Sequence, residues 1–125
     1  MNTWHSGRES ELLDEIIAGR KTIEGRLNRG KFAEYAPGDI VNLRRDFRDE
    51  NGVLQDGEPN AACVKVVAVR KYASFLKMAK SENFTSVIPG AKSAEEVAAV
   101  YDTYYSVSDQ DEYGVLAIEI SNMVY

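Results

Sequence analysis

Apolar residues in this chain come in short runs with a repeat of two, separated by turn-forming residues. The strongest run, residues 62–70, is rich in Val and leads into Arg70-Lys71. Ile40-Val41-Asn42-Leu43-Arg44-Arg45 predicts another strand. Residues 21–27 alternate, with Ile23, Gly25 and Leu27 on one face and Thr22, Glu24 and Arg26 on the other. A last strand is predicted over 113–120, with Leu116, Ile118 and Ile120 inward. Asn51-Gly52 and Asp56-Gly57 each offer a tight hairpin turn between 46 and 60. Pro37-Gly38-Asp39 marks a further turn, and 28–36 reads as a loop.

Helical spacing occurs in three places. Over 9–19, Leu12, Leu13, Ile16 and Ile17 share a face, acids crowd the first turns, and Gly19 supplies a stop. Residues 72–81 carry Phe75, Leu76 and Ala79 as an apolar face. Ser93-Ala94-Glu95-Glu96 is a capping box opening a helix to about Tyr105, with Val97, Val100, Tyr101 and Tyr104 aligned. Residues 84–90 read as irregular, and Trp4 and His5 lie in an N-terminal tail. Strands grouped apart from helices predict an α+β fold, a small antiparallel β-barrel decorated by short helices. A length of 125 residues predicts one domain, 1–125, with its core over about 9–121.

Composition narrows the chemistry. The single cysteine, Cys63, excludes an internal disulfide and a cysteine-rich zinc site, and reads as a small core residue. The single His5 leaves little for metal or triad chemistry, so no metal and no cofactor are expected. No apolar run approaches the ~20 residues that cross a bilayer. Met1 to Arg8 lacks a signal-peptide core, so a cytoplasmic protein without membrane contact is expected; the sequence leaves the oligomeric state open, with a monomer the favoured reading.

The net charge of -5 speaks against a protein that coats nucleic acid over its whole surface. The charge is segmented, however. Residues 1–19 sum to -3, 20–48 to +4, 49–64 to -4, 65–80 to +5 and 81–125 to -7. If the two basic segments meet, they steer a compact anion to a local cleft on an acidic molecule. If they do not, they are solvated faces.

The stretch Gly19-Arg20-Lys21-Thr22-Ile23-Glu24-Gly25-Arg26 resembles the signature of the ASCH domain family: a glycine, a lysine two residues on, then glutamate and arginine. Pro37-Gly38-Asp39-Ile40, Tyr104-Tyr105-Ser106 and Tyr113-Gly114-Val115-Leu116-Ala117-Ile118 extend the resemblance over about 12–120. It implies a PUA-like β-barrel that binds RNA in a cleft between barrel and helices, where the lysine, glutamate and arginine gather. Some relatives are enzymes. The small acetylcytidine amidohydrolases carry threonine three positions after the lysine, where this chain has Glu24. Others are described as ribonucleases.

The expected partner is therefore RNA or a small nucleotide-like anion. Lys21 is expected to bind phosphate, or to serve as nucleophile or base; the alternative is an exposed lysine at a strand start. In a regular strand Lys21 and Glu24 would sit about 10 Å apart on opposite faces, and converge only if the chain bends. Glu24 is expected to accept from a base edge or act as acid/base, and Arg26 to grip phosphate, unless the two form a buried ion pair. As an enzyme the chain would use Lys21 and Glu24. Arg20, Arg44, Arg45 and Arg70 (with Lys71) are candidate phosphate contacts flanking the cleft, or solvated strand ends. Tyr105 with Ser106 is the candidate for base stacking, Tyr104 and Tyr113 are further aromatics, and Tyr101 reads as core. Arg29-Gly30-Lys31 is a basic loop without a phosphate-loop motif. A protein-partner surface on the acidic C-terminal third is a third possibility.

Overall fold

The structure, a computed structural model, describes residues 1–123, so the expected domain limit at 125 lies outside the described residues. Five strands form one sheet: β1 (Thr3–Glu9), β2 (Ile23–Leu27), β3 (Ile40–Arg48), β4 (Leu54–Tyr72) and β5 (Val115–Asn122). Five short helices decorate it: α1 (Ser10–Ile17), α2 (Phe75–Ser81), α3 (Phe84–Val87), α4 (Ala94–Asp102) and α5 (Val107–Tyr113). The sheet order is β1-β3-β4-β5-β2. The fold is α+β, with the sheet curled into a half-barrel. One pairing departs from the antiparallel expectation: β1 runs parallel to β3, as Thr3 pairs with Ile40 and Glu9 with Asp46. β1 and β2 are the sheet's two edges, and side chains rather than a ladder bridge the seam between them: Arg8 of β1 reaches Glu24 of β2.

The N-terminal tail is thus a strand. Its sequence lacks apolar alternation, and it is held by polar bonds that a hydropathy pattern does not display. Asp39, in the Pro37-Gly38-Asp39 turn, accepts from the Asn2 backbone and the Trp4 indole, each at 2.9 Å. The β3–β4 hairpin turns at Asn51-Gly52, where Gly52 takes φ +77° and Asp49 Oδ1 accepts from Asn51 and Val53. Asp56-Gly57 lies inside β4 instead, where the absence of a Cβ at Gly57 lets the Arg45 carbonyl approach closely. β4 is accordingly longer than the 62–70 run. The expected loop at 28–36 holds a 3₁₀ turn, Gly30–Glu34, and the expected irregular stretch at 84–90 holds α3. α2 begins at Phe75 rather than at 72, capped by Ser74. α5 went unpredicted because Val107-Ser108-Asp109-Gln110-Asp111-Glu112-Tyr113 has no apolar stripe. Ser106 caps it, and buried Gln110 ties it to α2 and α4 through Phe75 N and Asp102.

Two apolar clusters lie on opposite faces of the sheet. Leu13, Ile16, Val41, Leu43, Val64, Val66, Leu116, Ile118 and Ile120 fill the barrel side. Ile23, Leu27, Phe75, Met78, Val87, Val97, Tyr101, Val115 and Ala117 pack the helical side. β5 therefore buries both faces, which is why its sequence reads as a nearly continuous apolar run. Each fully buried Leu, Ile or Phe contributes roughly 1.5–3 kcal/mol. At Gly25 of β2 a Cβ would lie 2.9 Å from the Tyr101 ring, so glycine lets α4 approach the strand beside the seam.

Candidate binding site at the barrel seam

α1 stops where its sequence predicts. Gly19 takes φ +80°, and the amides of Gly19, Arg20 and Lys21 bond back to carbonyls of the last turns. That reversal delivers Lys21 just ahead of β2. Lys21 is outside the regular strand, so the opposite-face geometry does not hold for it, and it turns inward, 5% exposed. Its Nζ donates to the Ile23 carbonyl at 2.9 Å and to the Val87 carbonyl at 2.6 Å. Burial lowers its pKa, Glu24 opposes this, and Arg26 and Arg8 add to it; the result is about 8.

Glu24 is 3% exposed and carries the strongest contacts of the site. Arg8 grips it in a fork, Nε to Oε2 at 2.6 Å and Nη2 to Oε1 at 2.8 Å. Arg26 Nη2 adds a third bond at 3.2 Å. Burial alone would raise the carboxyl's pKa, but the charges of Arg8, Arg26 and Lys21 outweigh it and hold Glu24 well below the usual carboxylate range. For Arg8, burial lowers the pKa and Glu24 more than restores it. Arg8 Nη1 also donates to Ser6 Oγ at 2.6 Å and the Gly7 carbonyl at 2.7 Å. Four of the five N–H donors of Arg8 are therefore bound within the protein.

Above this ion pair lies a cleft of about 580 Å³. One wall comes from β2 and the 3₁₀ turn. Arg26 and Lys31 both sit over the Phe32 ring, 5.0 and 5.4 Å from its centroid, and Lys31 donates to the His5 carbonyl at 3.0 Å. The other wall comes from the end of α4, with Ile88 and Leu12 beside it. Here Tyr101 stacks on Phe75 at 4.5 Å, Tyr105 stacks on Phe75 at 5.3 Å, and Tyr104 stands 76% exposed at the rim. Four cations (Arg8, Lys21, Arg26 and Lys31) face one carboxylate, so the cleft favours an anion.

The structure brings Lys21, Glu24, Arg26 and Tyr105 together in this cleft. It does not bring the others there. Arg20 pairs with Glu15 on the exposed end of α1. Arg44 pairs with Asp46 and Asp56, Arg45 with Asp14, and Arg70 with Glu82 and Glu119. Ser106 uses its hydroxyl to cap α5. Lys71 is exposed on β4, and Tyr113 lies against Arg29, which pairs with Asp109. Tyr101 is core, as its spacing predicts, and lines the cleft as well. Arg8 and Ser6 also line the cleft, with no motif around them to mark the site. Their one signal was that Arg8 is the only base among the first 19 residues, isolated among acids. Among the described residues no group of His, Cys, Asp and Glu is placed to hold a metal ion, and no helix is long and apolar enough to cross a membrane.

The model of the ASCH domain matches residues 9–123. The chain belongs to the ASCH domain family. Solved structures share its fold. The crystal structure of hypothetical protein PH0355 shares 37% identity and a TM-score of 0.79, covering 97% of this chain and 99% of that one. The solution NMR structure of protein PF0455 from Pyrococcus furiosus shares 36% identity and a TM-score of 0.75, covering 98% and 99%. An ASCH domain from Lactobacillus crispatus JV V101, at 12% identity, has a TM-score of 0.60 over 94% of this chain and 79% of that one, and shares the fold. No curated protein matches the chain. In ASCH terms, the signature Lys21, Glu24 and Arg26 all line one cleft, and Arg8, from outside that signature, completes it.

Proposed function

We propose that this ASCH domain binds RNA or a (modified) nucleotide in the seam cleft. One observation carries the proposal: Arg26 and Lys31, which keep free donors, face a wall of exposed and half-buried tyrosines across a 580 Å³ cleft. Cations for a phosphate beside aromatic faces for a base are what an unpaired nucleotide needs. Glu24 is less suited to reading a base edge, because its two oxygens already accept three N–H groups. Its role here is to hold Arg8 and Arg26.

The test replaces the two reachable cations without reversing a buried charge. Arg26→Gln/Lys31→Gln, checked for an unchanged fold by circular dichroism, is expected to weaken binding of a labelled single-stranded RNA by about tenfold or more, since each lost phosphate contact also loses counterion release. Retention at wild-type strength would remove this cleft from consideration.

A specific observation also favours a second reading, a small hydrolase acting on RNA or a modified nucleoside. Lys21 shares the cleft with Glu24, and its pKa of about 8 leaves part of its amine unprotonated near neutral pH. Incubation with acetylcytidine and with single-stranded RNA, followed by mass spectrometry, separates the readings. Products that vanish in Lys21→Ala support the hydrolase, and products that persist take Lys21 out of the chemistry.

A further inference from the structure

We infer that the cleft is a one-nucleotide site: it engages a single nucleoside monophosphate unit, phosphate toward Arg26 and Lys31 and base toward Tyr104 and Val100, and gives no purchase to neighbouring nucleotides. The inference rests on the nucleic-acid reading above and narrows it.

Three features of the surface support it. First, every arginine outside the cleft is already neutralised. Arg20, Arg29, Arg44, Arg45, Arg48 and Arg70 each pair with an acid, so a strand running over them would compete with those carboxylates for every phosphate contact. Of the exposed lysines, Lys65, Lys71, Lys77 and Lys80 belong to β4 and α2, and Lys92 precedes the N-terminus of α4, away from its Tyr101 end; none of them lines the cleft. Second, the helices at the cleft's rim are acidic. α1 carries Glu11 beside the lining residue Leu12, and α4 carries Asp102 beside the lining residue Tyr101, neither of them in an ion pair among the described residues. A phosphodiester chain leaving the cleft over that rim meets like charge. Third, the cleft is polarised. Its free cations come from β2 and the 3₁₀ turn, while the opposite wall is apolar and aromatic. A ligand with one anionic end and one flat end satisfies both walls at once. About 580 Å³ lies in the roughly 300–1,000 Å³ range of sites for one small molecule. A groove that tracks a strand covers ~4–16 nucleotides instead.

A free mononucleotide and the end of a strand share this chemistry, and the test separates them. The full chain is titrated by calorimetry with nucleoside 5′-monophosphates, the matching nucleosides and ribose 5-phosphate, and with a 5′-phosphorylated dinucleotide, tetranucleotide and octanucleotide. A monophosphate is expected to bind within about threefold of the octanucleotide, and about tenfold or more tighter than its nucleoside or ribose 5-phosphate. Arg26→Gln/Lys31→Gln should bring the nucleotide down to the level of the nucleoside, whereas Arg70→Gln, on the far pair with Glu82 and Glu119, should change nothing. Affinity that climbs at each added nucleotide would overturn the one-unit inference while leaving nucleic-acid binding in place. Binding of oligonucleotides but not of monophosphates would do the same. If no probe binds, both the inference and the reading beneath it fall.

Discussion

The Arg8–Glu24 pair is the most consequential single contact in the molecule. Both partners are buried, and the pair joins the two edges of the sheet. Removing Arg8 alone leaves buried Glu24 with only Arg26 and Lys21 against its charge, a broken buried pair that costs about 3–5 kcal/mol, whereas removing both takes the buried carboxylate away too and leaves Lys21, which can shed its proton, and Arg26, which is partly exposed. Arg8→Met is therefore expected to lower unfolding free energy by that amount in urea titrations, and Arg8→Met/Glu24→Met to be more stable than Arg8→Met alone. A double variant that merely sums two losses would contradict this. Lys21 makes a separate, pH-dependent contribution. Its folded pKa of about 8 lies below the ordinary 10.5. Between those values the unfolded chain binds the proton that the folded chain has released, so stability rises with pH there, and the burial cost is felt fully below pH 8. From pH 7.5 to 9.5 the wild type should gain about 1–2 kcal/mol relative to Lys21→Met, read from urea midpoints at each pH. Parallel curves would mean that Lys21 is not buried as described.

At the scale of elements, the site depends on α4 being held in place. α4 has nine residues, too few to persist as an isolated helix. Its N-terminus is capped as the Ser93-to-Glu96 pattern predicts: Ser93 Oγ accepts from the Glu96 amide at 3.1 Å, and the Glu96 carboxylate reaches back to the Lys92 amide at 3.3 Å. Its C-terminal end carries Tyr101, which packs on Gly25 and Phe75 and positions the cleft's aromatic wall. Ser93→Ala is expected to cost about 1 kcal/mol and to lower the melting temperature by about 3–5 °C, with Ser93→Asp restoring most of it. Ligand affinity should fall with it, because the unfastened helix presents the tyrosines. Unaltered melting would show that packing against α2, rather than the cap, carries α4.

Across the whole molecule, charge is arranged as a positive cavity in a negative body. The net charge is -5, yet the cleft holds four cations against one acid. Association therefore draws on a local field and not on a basic surface. Few counterions should be released when the cleft is filled. The slope of log affinity against log salt is expected to lie between roughly -0.7 and -1.4 for a single-stranded ligand, the value for one or two neutralised phosphates. A slope of several units would instead place the contacts on the exposed lysines of β4 and α2.

Local pattern and packing divide this protein unevenly. The Val-rich run of β4, the Gly19 stop, the Asn51-Gly52 turn, the Ser93 cap and the inward Leu116, Ile118 and Ile120 depend on neighbours in sequence, and they stand in the structure as their spacing predicts. The signature lysine, glutamate and arginine could also be picked out in advance, and all three line the cleft. Contacts spanning many residues could not. β1 was hidden because polar bonds to Asp39 and Glu24, not apolar alternation, hold it. The segment charges suggested one joined basic surface, but tertiary pairing neutralised Arg20, Arg44, Arg45 and Arg70 and left Arg26 and Lys31 reachable. The reason is range. Backbone preference and side-chain period act over a few residues, so sequence alone determined the elements and the identity of the motif. Whether a given charge is buried, paired or open to a ligand depends on which distant acid the fold brings beside it, and only the tertiary structure decided that.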